Sequence, residues 1–126
     1  MKFEVNLELI DSFENKTDKH DGIITVYMLY ENGPEIRWII SDCGCFPSSD
    51  WINFLKYMKG LTSTSSSISG GGNSSWDICV EESMCILTFD IGGSGGDSNI
   101  KLKFSIPEMI PVIEEIINAL KRIELN

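Results

Sequence analysis

The chain has 126 residues, 19 acidic and 10 basic side chains, a formal net charge of −9 and a pI of about 4.4. Apolar residues make up 42% and charged residues 23%, the balance of one soluble globular domain (1–126) rather than of a disordered tail or a membrane span, and the length is enough to fold without metal or disulfide staples. The acidity argues against nucleic-acid binding, which rests on Lys and Arg set against phosphates, and favours a basic protein partner.

Phe3, Val5, Leu7 and Leu9 alternate with Lys2, Glu4, Asn6 and Glu8, the period of a half-buried strand. Residues 11–22 are polar and Asp21-Gly22 closes them as a turn. Residues 23–30 are rich in β-branched and aromatic types and predict a strand. Asn32-Gly33-Pro34 punctuates the chain, and Ile36, Trp38 and Ile40 alternate in the next strand. A loop of Asn32 to Pro34 sets Tyr30 opposite Ile36, Met28 opposite Trp38 and Val26 opposite Ile40 on the core face. The other face then carries Tyr27 beside Ile39 and Leu29 beside Arg37, more apolar than an open sheet face needs, so it is a candidate contact surface.

Ser48, Ser49 or Asp50 can cap a helix from about Ser49 to Lys59, with Trp51, Phe54, Leu55 and Met58 as its apolar stripe and Gly60 as its C-terminal cap. Residues 62–75 are rich in serine and glycine and read as a mobile loop. Trp76, Ile78 and Val80 alternate in a fourth strand, and Cys85, Leu87, Phe89 and Ile91 in a fifth, joined by a turn at Glu82-Ser83. After the glycine-rich connection 92–98, Ile100, Leu102, Phe104 and Ile106 alternate in a sixth. Pro107 suits the first turn of a closing helix whose apolar face is Ile113, Ile116, Ile117, Leu120 and Ile123. Pro111 bends that helix if it falls beyond the first turn. Short turns imply antiparallel pairing, so the expected fold is α+β: one antiparallel sheet of about six strands with two helices packed on one face, in the order βββαβββα. The βββα pattern occurs twice, without a shared motif.

Several chemistries are disfavoured. Cys43-Gly44-Cys45 with Cys79 and Cys85 lacks the C-x(2–4)-C spacing of a zinc site. A two-residue turn at Glu82-Ser83 also sets Val80 opposite Cys85 and Cys79 opposite Ile86, so Cys85 faces the core and Cys79 faces away. The glycine cluster 92–96 lacks the Gly-Lys-Ser/Thr ending of a phosphate loop. His20 is the single histidine and lies in a polar stretch with no spacing that marks a triad. No catalytic residue, metal or cofactor is therefore expected. Met1–Ile10 carries no signal-peptide run, and no apolar stretch reaches the ~18–20 residues of a membrane span, so a cytoplasmic, non-membrane protein with reduced thiols is expected.

The charge distribution carries the functional signal. From Leu61 to Ile100 there is no Lys or Arg, while Asp77, Glu81, Glu82, Asp90 and Asp97 are acidic. Asp77, Glu81, Thr88 and Asp90 fall on the strand face opposite the core, with Glu82 and Asp97 in turns nearby and Lys101 and Lys103 pointing the same way. Over its whole length, in size, acidity, cytoplasmic character and mixed α/β layout and on no motif, the chain resembles the small acidic immunity proteins that bacteria make beside their toxins; the helix Asp50-Trp51-Ile52-Asn53-Phe54-Leu55 between two strand groups is similar to that of several bacterial domains of like length. The resemblance implies a protein-binding inhibitor that masks a cognate, basic, nuclease-like toxin; no residue is carried over from it. The partner-binding candidates are Asp77, Glu81, Glu82, Asp90, Asp97, Tyr27, Leu29 and Ile39. Two other readings stand beside it: a small thiol-dependent enzyme or redox protein using Cys43 or Cys45, which precede a helix N-terminus, and a self-associating subunit, as a homodimer, through the apolar outer sheet face or an edge strand.

Overall fold

The computed structural model describes residues 1–10, 21–40, 48–70, 76–90 and 99–125. Seven strands and two helices run in the order β1 (Lys2–Ile10), β2 (Asp21–Leu29), β3 (Glu35–Ile40), α1 (Ser48–Met58), β4 (Ile68–Gly70), β5 (Trp76–Glu81), β6 (Met84–Asp90), β7 (Asn99–Ser105) and α2 (Ile106–Leu125). The α+β class and the antiparallel pairing are as expected, but the single six-stranded sheet is not. The strands form a three-stranded sheet, β1-β2-β3, and a four-stranded sheet, β4-β5-β6-β7. Alternating polarity marks which face of a strand is buried but does not say which strand lies beside it. Each observed sheet is a meander, so only sequence neighbours pair, and α1 interrupts the series.

The chain divides into two compact units, Met1–Ser49 with Val112–Asn126, and Asp50–Pro111. The helices therefore do not share one sheet: α1 from Asp50 onward belongs with the four-stranded sheet, and α2 from Val112 onward with the three-stranded one.

In the first unit, β2 buries Ile24, Val26 and Met28 and β3 buries Trp38 and Ile40. The expected stripe of α2, Ile113, Ile116, Ile117, Leu120 and Ile123, is buried with them, widened by Val112 and Ala119. Gly22 permits close approach of the helix, since a Cβ there would lie 2.8 Å from Cδ1 of Ile123. Asp21-Gly22 is not the expected turn; it starts β2, paired with Ile10 and Leu9. The β2–β3 register also differs from expectation. Met28 lies opposite Ile36, Val26 opposite Trp38 and Ile24 opposite Ile40. The connection spans Tyr30 to Pro34, with Gly33 N–H donating to the Tyr30 carbonyl (3.3 Å) and Asn32 at φ 57°. The longer loop moves the pairing by two residues, which preserves the buried face and leaves Tyr30 exposed beyond the strand.

In the second unit, α1 buries Trp51, Phe54 and Met58, and the sheet buries Ile68, Trp76, Ile78, Cys85, Leu87 and Phe104. Burying side chains of this size contributes roughly 1.5–3 kcal/mol each. The rings of Trp51 and Trp76 meet at 6.1 Å and 39°. β4 is a strand within the serine-rich stretch that composition marks as a loop. Its one large apolar residue, Ile68, is buried opposite Ile78, and Gly70 faces Trp76. Ile106 begins α2 rather than ending β7.

The helix ends show specific chemistry. Gly60 sits at φ 73° after α1, with Gly60 N–H donating to the Tyr57 carbonyl and Leu61 N–H to the Lys56 carbonyl, a Schellman closure. At the start of α1, Ser48 is buried and donates twice to one carboxylate: its N–H to Glu124 Oε1 (2.8 Å) and its hydroxyl to Oε2 (2.9 Å). The expected cap is thus supplied by α2, 76 residues away. Ser105 caps α2, accepting from Glu108 N–H at 3.3 Å. Pro107 lies in the first turn of α2 and Pro111 in the second, where it removes the donor that would reach the Pro107 carbonyl. No helix among the described residues is long and apolar enough to cross a membrane.

Candidate functional site

The outer face of the four-stranded sheet gathers the acidic candidates. β5 and β6 pair as expected, Val80 with Cys85 and Cys79 with Ile86. The hairpin turn Glu82-Ser83 has both residues at positive φ, 50° and 64°, the form whose twist suits a two-residue hairpin. Strand alternation then places Asp77, Cys79 and Glu81 on one face of β5, with Glu82 exposed in the turn that follows. Across the sheet Asp77 lies opposite Thr88, and Thr88 opposite Lys101; Cys79 lies opposite Ile86, and Ile86 opposite Lys103. Asp90 lies two residues beyond Thr88 on the same face, opposite Asn99.

The result is an acidic column on β5, a column of Met84, Ile86 and Thr88 on β6, and a basic column on β7. Ile86 is only 6% exposed, so the middle of this face offers charge at its sides and little free apolar area. The acidic and basic columns are two strand spacings apart, about 10 Å. At that distance two unit charges in water interact by only about 0.4 kcal/mol, so the lysines do not cancel the acidic field. Among the described residues, Asp77, Glu81 and Glu82 are not held in a salt bridge.

The thiols sense this environment. Burial, then the charges of Glu81 and Asp77, push the Cys79 thiol above its ordinary range, against a lowering by Lys101. Burial, with a smaller contribution from Cys79, pushes Cys85 up to about 12. Both shifts favour the protonated thiol, the reverse of what a nucleophilic cysteine needs. Cys43, Cys45, His20 and Asp97 lie outside the described residues. Among the described residues no group of three or more His, Cys, Asp or Glu side chains is placed to hold a metal ion.

The remaining candidates lie on the outer face of the three-stranded sheet. Tyr27 and Leu29 are half-buried on the central strand β2, and Ile39 is 44% exposed on the edge strand β3. The expected pairs Tyr27–Ile39 and Leu29–Arg37 are not formed, because of the two-residue register change. Tyr27 lies opposite Arg37, Leu29 opposite Glu35, and Thr25 opposite Ile39. Arg37 sits 5.6 Å over the Tyr27 ring and 3.6 Å from Glu35. Lys2, Glu4 and Asn6 flank the other side of the strand. The apolar stripe of β2 is therefore rimmed by polar side chains on both edges, and Ile39 is separated from Tyr27 by one register position.

Composition missed a cavity of about 200 Å³ bounded by Tyr57, Ser65–Ser67, Cys79, Val80 and Glu81. The one available sequence signal was Ile68, which marks the place where the serine-rich stretch returns to the sheet. Comparison of the chain with family models, with curated proteins and with solved structures finds no match.

Proposed function

We propose that this chain is a protein-binding inhibitor of the immunity type, docking a cationic toxin domain against the acidic outer face formed by Asp77, Glu81, Glu82 and Asp90. The observation that carries this reading is that Asp77, Glu81 and Glu82 lie exposed or half-buried on one hairpin, free of salt bridges among the described residues. Fixed, unneutralised charge on a strand costs little reorganisation on binding, and it accelerates encounter with a basic surface. Glu82 adds to the argument. It holds a left-handed backbone conformation that Asn or Gly adopts more readily, and it is exposed in the turn. The Tyr27, Leu29 and Ile39 surface is a second candidate contact, with Ile39 as its most exposed apolar group.

The test is inhibition of the basic protein that the chain retains from a lysate of its own cells. An equimolar amount of this chain should abolish its activity, and Asp77→Lys with Asp90→Lys should restore most of it. Undiminished activity in excess chain, or equal inhibition by the double variant, contradicts the proposal.

One observation favours self-association as a second reading. β1 is a nine-residue edge strand whose Phe3, Val5 and Leu7 are only half-buried and whose Leu9 is exposed. A monomer in sedimentation at high concentration would remove it.

A further inference from the structure

β4 pairs with β5 only over Ile68–Gly70 against Trp76–Ile78, whereas β6 pairs along β5 to Glu81. Among the described residues, the β4-side edge of β5 has no ladder partner beyond Ile78. There Ser65–Ser67 on one side and Cys79–Glu81 on the other bound the 200 Å³ cavity, with Tyr57 of α1 as a further wall. In an antiparallel strand the N–H and C=O of one residue point to the same side and alternate along the chain. Over Cys79–Glu81 at least one carbonyl is therefore directed toward the β4 side.

The cavity is smaller than the roughly 300–1,000 Å³ of pockets that enclose cofactors or drug-sized ligands. It matches one long side chain. It is lined by Glu81, three serines, Tyr57, Cys79 and Val80, and by no basic residue. The Cys79 thiol is kept protonated by burial and by Glu81 and Asp77, so this wall is neutral and sits in a negative field. An anion is repelled here. An ammonium is a compact point charge that a single carboxylate satisfies in the open. A guanidinium is planar, carries five donors and stacks on aromatic rings, and so uses acceptors spread around several walls.

The geometry points to this notch as the anchor subsite of the docking face, taking the guanidinium of one arginine from the cationic partner, with Glu81 accepting its hydrogen bonds and the Tyr57 ring alongside. The inference rests on the docking reading and adds to it the chemistry of the contacting side chain. Its location at one end of the acidic column joins charge that steers encounter to a recess that holds one residue.

The test uses the intact chain, ¹⁵N-labelled and titrated with N-acetyl-arginine amide, with the lysine and citrulline amides as comparators. Saturable shifts should be confined to Tyr57, Ser65–Ser67 and Cys79–Glu81. The arginine amide should bind at least about fivefold tighter than the lysine amide, and the uncharged citrulline amide should not bind. Glu81→Gln, an exposed position, should weaken arginine binding about tenfold while the rest of the spectrum is unchanged. Tyr57→Leu should remove the preference for arginine over lysine. Shifts absent from the notch, equal binding of the two cations, or unchanged binding in Glu81→Gln would overturn the assignment. The outcome is separable from that of the docking proposal: Asp77→Lys with Asp90→Lys tests the face through inhibition, and the amide titration tests the notch with no partner present.

Discussion

Glu124 ties the last turn of α2 to the first residue of α1, and its removal gives a calculable loss. The carboxylate accepts from the Ser48 N–H at 2.8 Å and from the Ser48 hydroxyl at 2.9 Å. Hydrogen bonds to a charged acceptor contribute about 1.5–3 kcal/mol in protected sites, and less where water competes, as it does at the exposed Glu124 side chain. Ser48 itself is only 8% exposed, so a stranded N–H there costs about 1–3 kcal/mol. Glu124→Ala should therefore destabilise the protein by about 2 kcal/mol. Ser48→Ala, which keeps the N–H bond, should cost about 1 kcal/mol. Glu124→Gln retains one oxygen for the N–H and an amide that can donate to the serine oxygen. It loses mainly the negative charge beside the α1 N-terminus, about 0.3–1 kcal/mol. Urea denaturation reads these differences as midpoint shifts at constant slope. A Ser48→Ala/Glu124→Ala cycle should show a coupling of about 1 kcal/mol. If Glu124→Ala behaves like the exposed Glu115→Ala, the tether contributes nothing and the reasoning is wrong.

Three further outcomes follow from the same geometry. A Cβ at Gly70 would overlap the indole of Trp76, so Gly70→Ala should lower stability by about 1–3 kcal/mol and alter the near-ultraviolet spectrum of the tryptophans, while Ser69→Ala on the exposed face should shift stability by less than about 0.5 kcal/mol. Replacing Glu82-Ser83 by Asn-Gly should raise the thermal midpoint, since both residues lie at positive φ, yet weaken partner binding through the lost Glu82 charge. Cys85 binds its proton more tightly folded than unfolded, its thiol moving from an ordinary value near 9 up to about 12. Its contribution is complete below pH 9 and is lost as pH rises toward 12, so Cys85→Ala should flatten the alkaline limb of a stability-versus-pH curve.

The elements that could be read from the sequence are those whose signal is local. The alternation of Trp76, Ile78 and Val80 and of Cys85 and Leu87, with a two-residue turn between them, determines both the register and the outward direction of Asp77 and Glu81. The stripe on α2 is equally direct, and Ser105-Ile106-Pro107-Glu108 carries a capping pattern beside the helix-starting Pro107. What could not be read is nonlocal. Periodicity fixes a face but not a neighbour, so it could not separate the strands into two sheets or assign α1 and the second part of α2 to different units. No propensity links Ser48 to a carboxylate at Glu124. β4 rests on the single buried Ile68, and with it the notch beside Glu81 stayed hidden. At Tyr27, Leu29 and Ile39 the face was correct but the partners were not, because Tyr30 belongs to the loop and Arg37 to the row of Tyr27.

Steering by the acidic face is measured by stopped-flow association with the basic protein retained from a lysate, across a salt series, comparing the native chain with Asp77→Lys/Glu81→Lys/Asp90→Lys. Steering by this face predicts that the native association rate falls steeply with salt, that the reversed variant is about tenfold slower or more at low salt with a flatter dependence, and that the two converge at high salt. Superimposable rates at every salt concentration would contradict it.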